Sequence, residues 1–402
     1  MFRASNPAPP SDGIYLDYQA STPVDPDVLE AMMPWWRLGG AGNPHSHEHA
    51  FGWRAAEAID HARAQIGDLI GAEGQDVIFT SGATESNNLA IFGTMRALES
   101  KRRTLLVTAI DHASILGPAE KLGNEGFRCV TVPVDAEGRL LREAFLNRLN
   151  DDVLLVSVGA ANNEIGTLQD LPWIAERCHE VGAILHTDAA QSLTAAPVSV
   201  GSWGVDLASF SGHKAYGPQG IGALYIAPGI PRRLRAVSVG GGQQSGLRPG
   251  TLPTALCAGF GMACHLLRTQ GAIERQRVER LRDRLVSLLI EAIPEALLNG
   301  PRESRHPGNA NLRIPGIDAT DLIQRLQPTV ALSSGSACHS GSDQPSHVLV
   351  AIGLTDRAAR ESVRLGTGRF TTDAEIGTAV EAMVPAILMS QAAVQPRTAF
   401  GR

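Results

Sequence analysis

Residues 206–228 read DLASFSGHKAYGPQGIGALYIAP. Two apolar runs flank a bend built from Gly212, Gly217, Pro218 and Gly220, and Lys214 sits in that bend. Short apolar runs bounded by glycine and proline read as strands buried on both faces. Lysine is scarce in this chain: of 35 basic residues, only Lys101, Lys121 and Lys214 are lysines. Lys101 stands in the charged run ESKRRT and Lys121 lies beside Glu120, so both read as solvated positions. Lys214 alone reads as an amine in an apolar setting, where desolvation lowers an amine's pKa and leaves it nucleophilic.

The same pattern extends on both sides. TLLVTAI (104–110), FRCVTVPV (127–134), VLLVSVG (153–159) and GAILHTDA (182–189) read as strands, with helix-like ILGPAEKLGNEG and DLPWIAERCHEVG between them. This alternation predicts an α/β fold with a mostly parallel central sheet covered on both faces. Beyond the glycine-rich stretch 240–250, an amphipathic helix is expected over roughly 253–293 with a break near Gly271, followed by strands in NANLRIP and VALSSGSAC. The expected organisation is an N-terminal segment 1–20, a loose tail that then packs with a small domain. A large domain spans 21–265, and a smaller α+β domain spans 266–402.

With 402 residues and 43% hydrophobic content, the chain can bury a sizeable core. A net charge of −6 gives no broad basic field, which argues against strong direct nucleic-acid binding. No apolar run approaches the roughly 18–20 residues of a membrane span, and MFRASNPAPPSDG lacks the apolar segment of a signal peptide. The cysteines, Cys129, Cys178, Cys257, Cys264 and Cys338, are odd in number and form no C-x-x-C pair, which suits a reduced cytoplasmic protein.

Polar residues gather where the strands end, which is where open α/β sheets bind ligands. FTSGATESNNLAIFG (79–93) reads as strand, turn and helix. The N–H groups of Ala83 and its neighbours, with the Thr84 hydroxyl, could cradle a phosphate, or Ser81, Thr84 and Ser86 could be ordinary caps. His112 follows the 104–110 run, Asn163 and Glu164 follow 153–159, Asp188 and Gln191 close 182–189, and Ser211, His213 and Lys214 follow DLASF. Asp188 in an apolar strand is costly unless paired, though a satisfied structural carboxylate would also fit. Set beside Lys214 and a phosphate cradle, it points to pyridoxal phosphate. The lysine would form the Schiff base, the turn would hold the phosphate, and the carboxylate would keep the pyridine nitrogen protonated as an electron sink. His112 could stack on the ring or cap the helix that follows.

TSGATESNN, DHASIL, NNEIGTLQD, HTDAAQS, SFSGHKAYGPQGIGALY, GGGQQSGLRPGTLP and SSGSAC, taken in order, resemble the NifS/IscS-type cysteine desulfurases. These are fold-type I pyridoxal phosphate enzymes of the class V aminotransferase group. The likeness runs from YLDYQASTPVDP to VRLGTGRFTT. It implies removal of sulfur from L-cysteine to give L-alanine and a persulfide on Cys338, whose Ser/Gly-rich surroundings suit a mobile loop. The thiol would be deprotonated by His112 or by the substrate amine. By the same resemblance, Lys214 holds the cofactor, His112 lies over its ring and Asp188 faces its nitrogen. Asn163 and Gln191 lie near its hydroxyl, while Ala83, Thr84, Ser211 and His213 contact the phosphate. Thr251 reaches the phosphate of a neighbouring subunit in a homodimer, and Asn43, Asn163 and Arg364 hold the substrate carboxylate. The sulfur acceptor would be a protein serving iron–sulfur cluster assembly, DNA phosphorothioation or another thio-modification of nucleic acid.

Some readings compete with this one. HSHEHAFGW (45–53) is rich in histidine, but Phe51 occupies the second histidine position of H-E-x-x-H, so His45, His47 and His49 are read as lining a substrate entrance. Ser211-Gly-His-Lys214 satisfies S-x-x-K, but glycines and a proline disfavour the helix that motif needs. The end of the chain shows no extended tail like that of scaffold-docking relatives, which points towards a dedicated pathway. The alternatives are a selenocysteine lyase or an aminotransferase in which Cys338 is dispensable, or a catalytically idle scaffold.

Overall fold

The computed structural model of the protein describes residues 13–97, 102–230, 234–334 and 344–394. Its strands are β1 (Ile14–Tyr15), β2 (Val77–Thr80), β3 (Thr104–Thr108), β4 (Arg128–Val132), β5 (Val153–Gly159) and β6 (Ile184–Asp188). They continue with β7 (Leu207–Ser211), β8 (Gly222–Ile226), β9 (Leu297–Leu298), β10 (Asn309–Arg313), β11 (Val330–Ala331) and β12 (Ser362–Gly366).

Seven strands form the central sheet in the order β2-β8-β7-β6-β5-β3-β4. All neighbours run parallel except β8, which is antiparallel to both β2 and β7. Successive residues face opposite ways, and both faces are buried. Phe79, Leu106, Val156, Leu185 and Ala208 enter one core cluster. Ile78, Leu105, Leu155, Ile184 and Leu207 enter the other. The near-continuous apolar runs of the sequence follow from this double coverage. FRCVTVPV departs from it: β4 lies at one edge of the sheet, and Arg128 and Thr131 are exposed. The chain order reverses between β3 and β5, the topology that opens a crevice at the carboxyl ends of the strands.

A smaller antiparallel sheet, β12-β10-β9, packs with helix Asp373–Val394 and the second half of helix Thr254–Ala292. β1 pairs in parallel with β11, and Ile14 and Leu16 join the same core. Helix Thr254–Ala292 is continuous, so the expected break at Gly271 does not occur, and the helix passes through 265/266 unbroken. An interior glycine costs only about 1 kcal/mol, less than the burial of Leu267, Val278, Leu281 and Leu285 around it secures. The apolar-run reading also needs correction, because helix Asp373–Val394 is long and apolar enough for a membrane span by length and composition. Its Ile376, Ala379, Met383 and Ile387 are buried in the smaller core, as in the core helix of a globular unit.

Candidate active site

The carboxyl ends of β2, β3, β5, β6 and β7 surround a cavity of about 540 Å³, well within the size of small-molecule sites. Ala83, Thr84, His112, Asn163, Asp188, Gln191, Ser211, His213 and Lys214 all line it.

One wall is the start of helix Ala83–Ala97. Gly82 has a φ of 153°, a left-handed conformation that suits glycine. The turn rests directly on β8: a Cβ added at Gly222 would lie 2.6 Å from the Gly82 Cα. The first N–H groups of the helix have no carbonyl partner within it, so they favour an anion. Glu85 also lines this wall and accepts from Ser81 N at 2.6 Å and Arg248 Nε at 2.9 Å. Against the upward push of burial, Arg248 and Ser81 hold its carboxyl below the usual carboxylate range.

Asp188, at the end of β6, also lines the cavity. Its Oδ1 accepts from Ala190 N at 3.0 Å and its Oδ2 from Asn87 Nδ2 at 2.7 Å. The same Asn87 nitrogen donates to Ser114 Oγ at 2.8 Å, and Ser114 Oγ lies 2.8 Å from His112 Nδ1. His112 also caps helix Ala113–Asn124, its Nδ1 accepting from Ser114 N at 3.1 Å. The histidine is therefore both cavity wall and cap. Asp111, beside it, is buried and accepts from Thr108 N and Gly159 N. Burial pushes its carboxyl up to about 7. Glu164 is pushed up to about 7 by burial as well, although Ser346 donates to it.

Lys214 ends a single 3-10 turn, Gly212–Lys214, so the S-x-x-K residues span a tight turn and not an α-helix. Its surroundings are less apolar than the sequence suggests: Nζ donates to Gln19 O at 2.6 Å and to Ala20 O at 2.7 Å. Gln191 Nε2 donates to the same Gln19 carbonyl at 2.9 Å. His213 Nδ1 lies 3.2 Å from Ser21 Oγ. Burial and the adjacent Lys214 charge push His213 down to about 4, so it is neutral at physiological pH.

Three expected site residues lie outside this cavity. Arg364 is buried on β12, donating to Asp17 Oδ1 at 2.8 Å and Asn163 O at 3.2 Å. Its buried Nε has no hydrogen-bond partner among the described residues. Asn43 is exposed and turns back to accept from His45 N at 3.0 Å, and Thr251 is exposed. Cys338 falls outside the described residues. The 45–49 histidines do not line the cavity: His49 caps helix Ala50–Ile70, and the His47 carbonyl accepts from Trp53 Nε1. Sequence reasoning missed Asn87, Ser114, Asp111 and the Gln19–Ala20 carbonyls. Asn87 stood in the quoted TSGATESNN, but its helical position concealed its role.

Residues 14–378 match the aminotransferase class-V family. The chain belongs to that family. It is 44% identical to the cysteine desulfurase IscS of Rickettsia typhi over 367 residues, covering 91% of this chain and 89% of the relative. It is 43% identical to the namesake of Rickettsia bellii, over 92% and 89%. Among solved structures, a NifS-like protein superposes with a TM-score of 0.87 at 30% identity, covering 94% of this chain and all of the other. SspA in complex with cysteine gives 0.79 at 33%, covering 89% of this chain and all of that one. DndA from Streptomyces lividans gives 0.74 at 33%, over 86% and 97%. The expected fold-type I architecture and family resemblance hold, and the chain is a pyridoxal-phosphate-dependent enzyme of the cysteine desulfurase group. Such an enzyme takes L-cysteine as substrate and needs a sulfur acceptor.

The residues present fit that cofactor. A lysine, a carboxylate backed by an amide, a histidine and a helix N-terminus converge on one cavity of suitable size.

Proposed function

We propose that this chain transfers the sulfur of L-cysteine to Cys338 and that the cavity at the sheet edge is where it does so. The observation that carries the reading is the convergence of Lys214, Asp188, His112 and the Ala83–Thr84 helix start on one cavity. Lys214 would hold the cofactor covalently, Asp188 would face its ring nitrogen and His112 its ring. Ala83, Thr84, Ser211 and His213 would surround the phosphate, and Asn163 and Gln191 its hydroxyl. When bound, pyridoxal phosphate supplies a protonated ring that draws electron density from the substrate's α-carbon. Neutral His213 can accept or donate a hydrogen bond without adding charge beside the lysine.

The net step balances without an outside oxidant. The Cβ–S bond of cysteine breaks, an S–S bond to the Cys338 sulfur forms, and Cβ gains the proton that the thiol releases, giving alanine and a persulfide. Cys178, Cys257 and Cys264 do not compete as nucleophiles, because burial pushes their thiols up, the first two to about 12. Arg364, whose buried Nε lacks a partner among the described residues, is the proposed anchor of the substrate carboxylate, with Asn163 and Asn43. The exposed position of Thr251, away from its own cavity, suits a homodimer in which it reaches the partner's site. The proposed division is a cofactor-binding unit through 265 and a smaller unit from 266, bridged by helix Thr254–Ala292. The free thiols of the described residues suit a cytoplasmic setting. Cluster assembly and DNA phosphorothioation are the pathways to which the acceptor is proposed to belong.

The test is Cys338→Ser, assayed with cysteine and selenocysteine side by side. The variant should bind cofactor normally yet release no sulfide from cysteine. Undiminished release would favour a lyase in which Cys338 is dispensable.

A further inference from the structure

The geometry points to Asn87 as a positioning residue whose single side-chain amide nitrogen orients both Asp188 and, through Ser114, the tautomer of His112. The inference rests on the reading that Asp188 and His112 face the cofactor.

Asn87 is fully buried on helix Ala83–Ala97, and none of its atoms lines the cavity. Its Nδ2 lies 2.7 Å from Asp188 Oδ2 and 2.8 Å from Ser114 Oγ. The orientation of the amide follows from chemistry, since an ionised carboxylate only accepts hydrogen bonds. Turned over, the amide would place oxygen against oxygen at that distance. Both Nδ2 hydrogens are thereby assigned, one to each partner, while Oδ1 is left buried without a partner among the described residues. An unsatisfied buried carbonyl is a cost, and it shows which end of the amide the site requires.

The consequence passes along the chain of contacts. Ser114 Oγ accepts from Asn87, and with Nδ1 of His112 already taken as an acceptor by a backbone N–H, the hydroxyl hydrogen is directed at that nitrogen, 2.8 Å away. The backbone donor is Ser114 N, at 3.1 Å. Two donors on Nδ1 make it an acceptor, and a neutral imidazole then carries its proton on Nε2. The resting His112 therefore presents an N–H donor at its other nitrogen and is not poised to take a proton there. In this tautomer a resting His112 has no lone pair at Nε2 with which to accept a proton. Two residues, Asn87 and Ser114, thus tie the carboxylate at one strand end to the imidazole that follows another.

The test reads the tautomer directly, in holoenzyme labelled with 15N-histidine and kept free of substrate. The His112 signals are assigned by their loss in His112→Gln. In the wild type, Nδ1 should show the shift of an unprotonated acceptor and Nε2 that of a protonated nitrogen. In Asn87→Ala the two signals should move toward each other, with a 10- to 100-fold fall in kcat and KM for cysteine held within about twofold. Ser114→Ala, which keeps the backbone donor, should move them in the same direction by less, and it serves if Asn87→Ala does not fold. Unchanged His112 signals in either folded variant overturn the inference, whatever happens to stability. A wild type inert toward cysteine would instead overturn the parent reading, while the His112 signals would still answer for Asn87.

Discussion

Gly222→Ala should weaken cofactor binding although residue 222 offers no side chain to the cavity. Gly222 begins β8, paired with Thr80 on one side and Ser211 on the other. A Cβ there would lie 2.5 Å from the Phe210 carbonyl oxygen, 2.6 Å from Gly82 Cα and 2.8 Å from the Gly82 carbonyl carbon. All three are backbone atoms, so no side chain can swing away. Carbon–carbon contacts are comfortable at about 3.5–4 Å, so the Ser81–Thr84 turn must retreat by roughly 1 Å. Overpacking of this kind costs about 1–3 kcal/mol of stability. Moving a helix start that much also lengthens hydrogen bonds to a charged phosphate, each worth about 1.5–3 kcal/mol. Losing one weakens binding roughly 10- to 100-fold. The assay is absorbance titration of apoprotein with pyridoxal phosphate, alongside thermal unfolding. Gly117→Ala is the control: a Cβ there meets nothing within 4 Å, and a helical Gly→Ala change stabilises by about 0.5–1 kcal/mol. Wild-type cofactor affinity in Gly222→Ala would refute the placement of the phosphate at that turn.

Two further outcomes are expected. Glu164, raised from 4.5 to about 7 by burial, supports folding below pH 4.5 and loses that contribution as pH rises through 7. Glu164→Gln should therefore gain up to about 3 kcal/mol at pH 8 and little at pH 4.5, and an equal gain in urea unfolding at both pH values would contradict this. Arg364→Ala should raise KM for cysteine at least tenfold while changing the cofactor Kd by less than about threefold, since a buried guanidinium anchors a carboxylate and does not touch the phosphate wall. An unchanged KM would remove Arg364 from substrate binding.

How much was legible in the sequence depended on the range of the interaction. Strand ends announce themselves locally, because a polar residue closing an apolar run has few reasons to be there. His112, Asp188 and Lys214 were found that way, and the sheet brings them together. Partners supplied from far along the chain leave no local trace. The carbonyls that hold Lys214 come from Gln19 and Ala20, nearly 200 residues earlier. Arg364 meets Asp17 across 347 positions. Asn87 was hidden for another reason: an asparagine within a helical run reads as a surface residue, and only packing shows its amide wedged between two site residues. Gly271 misled in the opposite sense, since a local helix penalty was outweighed by burial along helix Thr254–Ala292.

Which of the three lysines carries the cofactor decides the reading of the site. Borohydride reduction of holoenzyme, followed by peptide mass spectrometry, tests it in one step. A pyridoxyl group is expected on the peptide containing Lys214 and none on those containing Lys101 or Lys121. Label on either of those, or none on Lys214, would contradict it.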